Sequence, residues 1–207
     1  MNDTINIPAG KFAGEDAAAK KRRELREKLL KGETVDLGNG QQAPKGKLAA
    51  QWYEKDPQLL QNEKFAMARF YPDFTLDKLE DGRLCWVGVL EAGVYESKFG
   101  EKRQYHVMAV YDNNHPNQKM GSSVKVYPLI PDVDELIESA GFRPFHLLQD
   151  EVGNLYLCTN EAKDQKVGAT TATAASVLGW ATKWFIAFEL VLTGDLPLEK
   201  FNEHGGI

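Results

Sequence analysis

Leu84-Cys85-Trp86-Val87-Gly88-Val89-Leu90 is the stretch on which the architecture turns. Its β-branched and aromatic side chains read as a strand. Two further runs of the same character follow, Tyr105-His106-Val107-Met108-Ala109-Val110-Tyr111 and Val124-Lys125-Val126-Tyr127, each set off by turn-forming segments. Three such strands in succession predict an antiparallel meander.

Toward the N-terminus, Asp56 suits a cap and Pro57 a first helical position, and Leu59, Leu60, Glu63, Met67 and Phe70 recur at helical spacing. They predict a helix over 57–69. Phe70-Tyr71-Pro72-Asp73-Phe74 ends it, because proline biases the residue before it away from helix. Toward the C-terminus, Pro128 and Pro131 interrupt the pattern, Asp132–Ala140 reads as a short helix before Gly141, and Gly153-Asn154-Leu155-Tyr156-Leu157-Cys158 as a fourth strand. Val177, Leu178, Ala181, Trp184, Phe185, Phe188, Val191 and Leu192 then mark an apolar helix, with Thr170, Thr171 or Thr173 to cap it and Gly194 after its end. The spacing of Trp180, Trp184, Phe185 and Phe188 assigns them to a core rather than a ligand pocket. The sum is an α+β domain, helices packed on one antiparallel sheet.

Residues 1–50 have few large apolar side chains and read as a partly helical arm, leaving 51–207 as the domain. Ala17–Lys31 forms a helix stopped by Gly32, but Leu25, Leu29 and Leu30 make only a narrow apolar stripe, marginal in isolation. The Lys20–Arg23 cluster, diluted by Glu24 and Glu27, is expected to be a solvated face.

A chain of 207 residues, 43% apolar, can bury one sizeable core. A net charge of −5 argues against a nucleic-acid partner, whose phosphates require a basic surface. Cys85 and Cys158 have neither zinc-type spacing nor a disulfide framework, which fits a reducing cytoplasm. No signal peptide and no uninterrupted apolar run long enough for a bilayer is apparent, so a cytoplasmic location without membrane contact is expected. Phosphate loops, dinucleotide fingerprints and nucleophile elbows are missing from the sequence. His106, His115, His146 and His204 are too scattered to predict a metal site, and no cofactor is expected.

The order of elements resembles the ubiquitin-conjugating (UBC-fold) family, in particular its diverged bacterial members, over about Asp56 to His204. Phe70-Tyr71-Pro72-Asp73-Phe74 before a strand with Gly82 and Trp86-Val87-Gly88 is similar to the family's first helix and strand. Trp184-Phe185, Phe188-Glu189, Thr193-Gly194 and Pro197 resemble its closing helix. In the active-site segment the family has His-Pro-Asn, a glycine seven residues after the histidine and the cysteine ten after it. His146, Gly153 and Tyr156 keep that spacing, with Leu148 at the asparagine position and Tyr156 at the cysteine position. His115-Pro116-Asn117 spells the tripeptide but precedes the third strand and is assigned to a turn.

The resemblance implies a component of a bacterial ubiquitin-like conjugation pathway, working with an activating enzyme and a ubiquitin-like modifier, in operons tied to antiviral defence. It also implies a contact for the activating enzyme on the first helix, where Gln58, Gln61, Asn62 and Lys64 are the exposed residues expected. A tyrosine hydroxyl with pKa near ~10 is a poor substitute for a thiol. Gly-Asn-Leu-Tyr-Leu resembles ubiquitin-conjugating variant domains, which have tyrosine here and bind without forming a thioester. A non-catalytic adaptor or interaction scaffold is therefore the alternative reading. Cys158, two residues beyond Tyr156 on the same face of an extended segment, is the candidate displaced nucleophile. Thr159, or Thr170, Thr171 and Thr173, could carry an ester instead, given a neighbouring base. Cys85, inside the apolar run beside Trp86, is expected to be core.

Overall fold

The computed structural model describes residues 17–31, 50–92, 103–113, 115–116, 123–144, 146–159 and 173–202. Its frame is a six-stranded, wholly antiparallel sheet ordered β1-β2-β3-β4-β6-β5. The predicted meander is β2 (Leu84–Glu91), β3 (Gln104–Tyr111) and β4 (Val124–Ile130), paired in sequence. The fourth strand is β6 (Leu155–Leu157), laid beside β4 and forming a hairpin with the edge strand β5 (Leu147–Gln149). With its flanking helices this is a UBC-like α+β fold.

Side-chain alternation sends the sheet's two sets of residues into two clusters. Leu84, Trp86, Tyr105, Val107, Ala109, Tyr111, Val126 and Leu157 pack inward beneath α3 (Pro57–Phe70) and α5 (Ala174–Thr193). Cys85, Val87, Met108, Val110, Tyr127 and Leu129 form a second cluster with Ala18 and Leu25 of α1 (Ala17–Leu30) on the outer face. Coverage of both faces explains why these strands read as continuous apolar runs rather than as alternating ones. At Gly88 the chain passes so close to Phe74 that a Cβ would lie 2.5 Å from its ring.

The helix ends follow their caps. Asp56 accepts from Leu59 N–H (3.0 Å) with Pro57 next, Asp132 caps α4 (Val133–Ala140) through Asp134 N–H (3.0 Å), and Thr173 accepts from Ser176 N–H (3.2 Å). Gly141 (φ 72°) and Gly194 (φ 81°) close α4 and α5 in the left-handed region. α5 is long and apolar enough to cross a membrane by length and composition, although Lys183 and Glu189 interrupt its apolar run. Its Val177, Leu178, Ala181, Trp184, Phe185 and Phe188 are instead buried against the sheet and the short α6 (Leu198–Asn202). Two small elements lay below the sequence signal: β1 (Thr75–Lys78), a largely polar edge strand, and α2 (Trp52–Lys55), a single turn.

α1 departs most from expectation. Its basic residues do not form a merely solvated face: Lys20 pairs with Glu80 (2.6 Å), Lys21 with Asp77 of β1 (2.5 Å), Arg22 donates to Asn154 and Arg26 pairs with Asp132. The partners lie 56 to 132 residues away and were invisible to a local reading.

Candidate functional site

The β5–β6 hairpin carries the candidate chemistry. Its turn is built by Asp150, whose carboxylate accepts from Val152 N–H (3.1 Å), Asn154 N–H (2.7 Å) and the Asn154 side-chain amide (3.0 Å), with Gly153 at φ 90°. The left-handed position is why glycine stands there. Pairing of Leu147 with Leu157 and of Leu148 with Tyr156 continues to a backbone hydrogen bond in which Cys158 N–H donates to the His146 carbonyl (2.9 Å). His146 and Cys158 thus sit opposite one another at the open end of the hairpin, although twelve residues apart in sequence. The His146 ring also lies 6.2 Å from that of Phe201 in α6.

Tyr156 is turned to the outer face, beside Tyr127 (5.9 Å between rings) and beneath Lys125 Nζ (5.3 Å). Partial burial raises its pKa, and the charges of Cys158, Asp112 and Asp150 push the same way, so its phenol stays protonated at neutral pH. The two cysteines part company. Cys85 is fully buried, and burial, reinforced by Asp77, pushes its thiol up to about 12, which confirms its core role. Cys158 is half-exposed, and neither cysteine is in a disulfide. Thr159 follows it, also half-exposed. Thr173 is the cap of α5, while Thr170, Thr171 and His204 lie outside the described residues. Among the described residues no cluster of His, Cys, Asp and Glu is arranged to hold a metal ion.

On α3, Gln58, Gln61, Asn62 and Lys64 are exposed, with Gln58 donating to Asn62 (3.1 Å). They surround a residue that sequence reasoning missed, Phe65, 71% exposed, and Phe70 at the helix end is 63% exposed. Both are large apolar side chains that the helix does not bury. The helical stripe passed over Phe65 and took in Phe70, which the structure leaves exposed at the helix end while Met67 is buried. A groove of about 570 Å³ opens beside Phe70, lined also by Tyr71, Val89, Leu90, Gly179 and Thr182.

Behind the sheet, Glu63 is fully buried. Its Oε2 accepts from Tyr111 OH (2.7 Å) and from Ala174 N–H (2.8 Å), the first amide of α5, and its Oε1 lies 3.5 Å from His115 Nε2. The backbone turns here as expected, His115 N–H donating to the Asp112 carbonyl (3.1 Å), but the side chain faces the interior. It is buried, 2.7 Å from Ser123 Oγ through Nδ1 and edge-on to Trp52 at 4.6 Å.

Residues 63–195, well over half of the chain, match the family described as Type II CBASS E2 protein. The chain belongs to the type II CBASS E2 family. It is accordingly an E2-like component of a bacterial antiviral conjugation system. No curated protein and no solved structure matches it. The matched region of this E2 takes in the whole β5–β6 hairpin and begins at Glu63, so α1 lies outside it.

Proposed function

We propose that this type II CBASS E2 is a modifier carrier that works through Cys158 in the cytoplasm, where thiols stay reduced. An activating enzyme delivers the C-terminal carbonyl of a ubiquitin-like modifier as a thioester. The Cys158 sulfur bonds to that carbonyl carbon, the activating enzyme's sulfur leaves, and the thiol proton passes to the departing thiolate. An amine on a target then displaces Cys158 in the same manner. The observation that carries this reading is the register of the hairpin, which sets a half-exposed Cys158 opposite His146, the residue at the family's histidine position.

His146 is assigned to holding the Cys158 backbone through its carbonyl. Tyr156, at the usual cysteine position by resemblance, is assigned to binding rather than bond making, because its raised pKa leaves it a weak nucleophile. Thr159 remains an ester acceptor only in the absence of Cys158 chemistry. The activating enzyme is assigned to the exposed face of α3, with Phe65 as an apolar anchor amid Gln58, Gln61, Asn62 and Lys64.

A second reading draws on one specific contact. Half-buried Tyr156, backed by the buried Tyr127 and lying beneath Lys125 Nζ, is an aromatic and cationic pair suited to contacting a protein surface, as in a non-catalytic adaptor. Mixing the full chain with the activating enzyme and modifier encoded beside it, plus ATP, separates the two. A carrier gains one modifier mass that is lost on adding thiol. Binding without any mass gain, in the presence of demonstrably active activating enzyme, would reject the carrier and leave the adaptor.

A further inference from the structure

α1 spans the outer face of the sheet and is tied at both sides. Lys21 reaches Asp77 and Lys20 reaches Glu80 at the β1 edge. One residue further, Arg22 donates to the Asn154 side-chain oxygen, in the turn of the β5–β6 hairpin. Arg26, one helical turn on from Arg22, pairs with Asp132, the cap of α4 just past the end of β4. β1 and β6 are four strand spacings apart in the sheet order, roughly 19 Å, so the helix and its long basic side chains bridge nearly the whole sheet.

The hairpin's inward side chains, Leu147, Leu155 and Leu157, join the core, but its backbone attachment to the sheet is slight. Its strands have three residues each, β5 is an edge strand, and β6 is registered to β4 at one pair, Val126 with Leu157. Asn154 is the adaptor between the helix and the turn. Its amide nitrogen donates to Asp150 (3.0 Å), which leaves its oxygen for Arg22, and its own backbone N–H is held by Asp150 (2.7 Å). Asn154 is mostly buried and directly precedes Leu155-Tyr156-Leu157-Cys158. A guanidinium on its oxygen therefore fixes the origin of the strand that presents Cys158.

We infer that α1 is a strap that clasps the β5–β6 hairpin to the sheet, and that Arg22, acting through Asn154, is a positioning residue for Cys158. The role in transfer rests on the carrier reading above; the clasp itself does not. α1 lies outside the residues that match the family, 63–195.

The test uses the full chain with Arg22→Gln, and Arg22→Lys as the variant that keeps the charge and a donor. Loss of a charge-assisted hydrogen bond predicts that amide exchange across 147–158 rises roughly tenfold in Arg22→Gln, while β2 and β3 exchange as in the parent. Thioester formation falls by a similar factor, with KM for the charged activating enzyme within about twofold, and Arg22→Lys recovers most of both. Unchanged hairpin exchange, or an equal rise in β2 and β3, would overturn the clasp. A loosened hairpin that charges at the parental rate would overturn the positioning role. If the parent chain itself forms no adduct, the carrier reading fails, and the exchange data still decide the clasp.

Discussion

Glu63→Ala should lower the unfolding free energy by about 3–5 kcal/mol, the range for removing one partner of a buried charged network. The carboxylate is 0% exposed and serves three elements at once: it accepts from Tyr111 on β3, from the first amide of α5, and faces His115 in the loop after β3. Tyr111 in turn accepts from Trp86 Nε1 (2.9 Å), and Trp52 packs on both Tyr111 and His115. Burial, followed by the charge of Glu63, holds the Tyr111 pKa well above its ordinary value, so its hydroxyl remains the donor. Truncation to alanine leaves the Ala174 amide and the Tyr111 phenol without their acceptor in a buried interior, and takes the carboxylate away from His115. Glu63→Gln keeps an oxygen for Tyr111 and Ala174 and replaces only the charge and the oxygen that faces His115, so its loss should be smaller, about 1–2 kcal/mol. Chemical denaturation of parent and variants measures both; a loss below about 1 kcal/mol for Glu63→Ala would refute a structural role for the network.

Cys158→Ala should abolish the thiol-sensitive modifier adduct altogether, while Tyr156→Phe charges within about twofold of the parent and Thr159→Ala is unaffected. The asymmetry follows from chemistry at two positions two residues apart. Removing the Tyr156 hydroxyl leaves its contact with Tyr127 in place, and that hydroxyl was held protonated by burial and by neighbouring negative charge. Removing the Cys158 sulfur takes away the half-exposed thiol of the hairpin, and Cys85, sealed between α1 and the sheet with its thiol pushed up to about 12, cannot replace it. A hydroxyl ester would show itself in the same comparison as an adduct that survives Cys158→Ala, resists thiol and is cleaved by hydroxylamine.

The parts of the fold legible in the sequence were those with dense apolar pattern. β2, β3 and β4 are covered on both faces, so their composition announced them, and the caps Asp56, Asp132 and Thr173 with Gly141 and Gly194 marked the helices. β1 was silent because an edge strand with exposed and half-buried positions tolerates Thr75, Asp77 and Lys78. Glu63 fell on the buried stripe of α3, but its reason for being there, His115 fifty-two residues on, is a tertiary fact. The same holds for the site. The spacing of His146, Gly153 and Tyr156 could be read directly, whereas the opposition of Cys158 and His146 required the hairpin register. The Lys20–Arg23 cluster looked like a solvated face because the partners of Lys20, Lys21 and Arg22 lie far along the chain.

The central claim, that this type II CBASS E2 carries its modifier on Cys158, is tested most directly by mapping the bond. The full chain is charged with its own activating enzyme, modifier and ATP, quenched in acid without thiol, digested, and read by tandem mass spectrometry. The account predicts the modifier's C-terminal residue on the peptide containing Leu155–Thr159, attached at Cys158 and released by thiol. Attachment at Tyr156, Thr159 or any lysine, with Cys158 recovered unmodified, would contradict it.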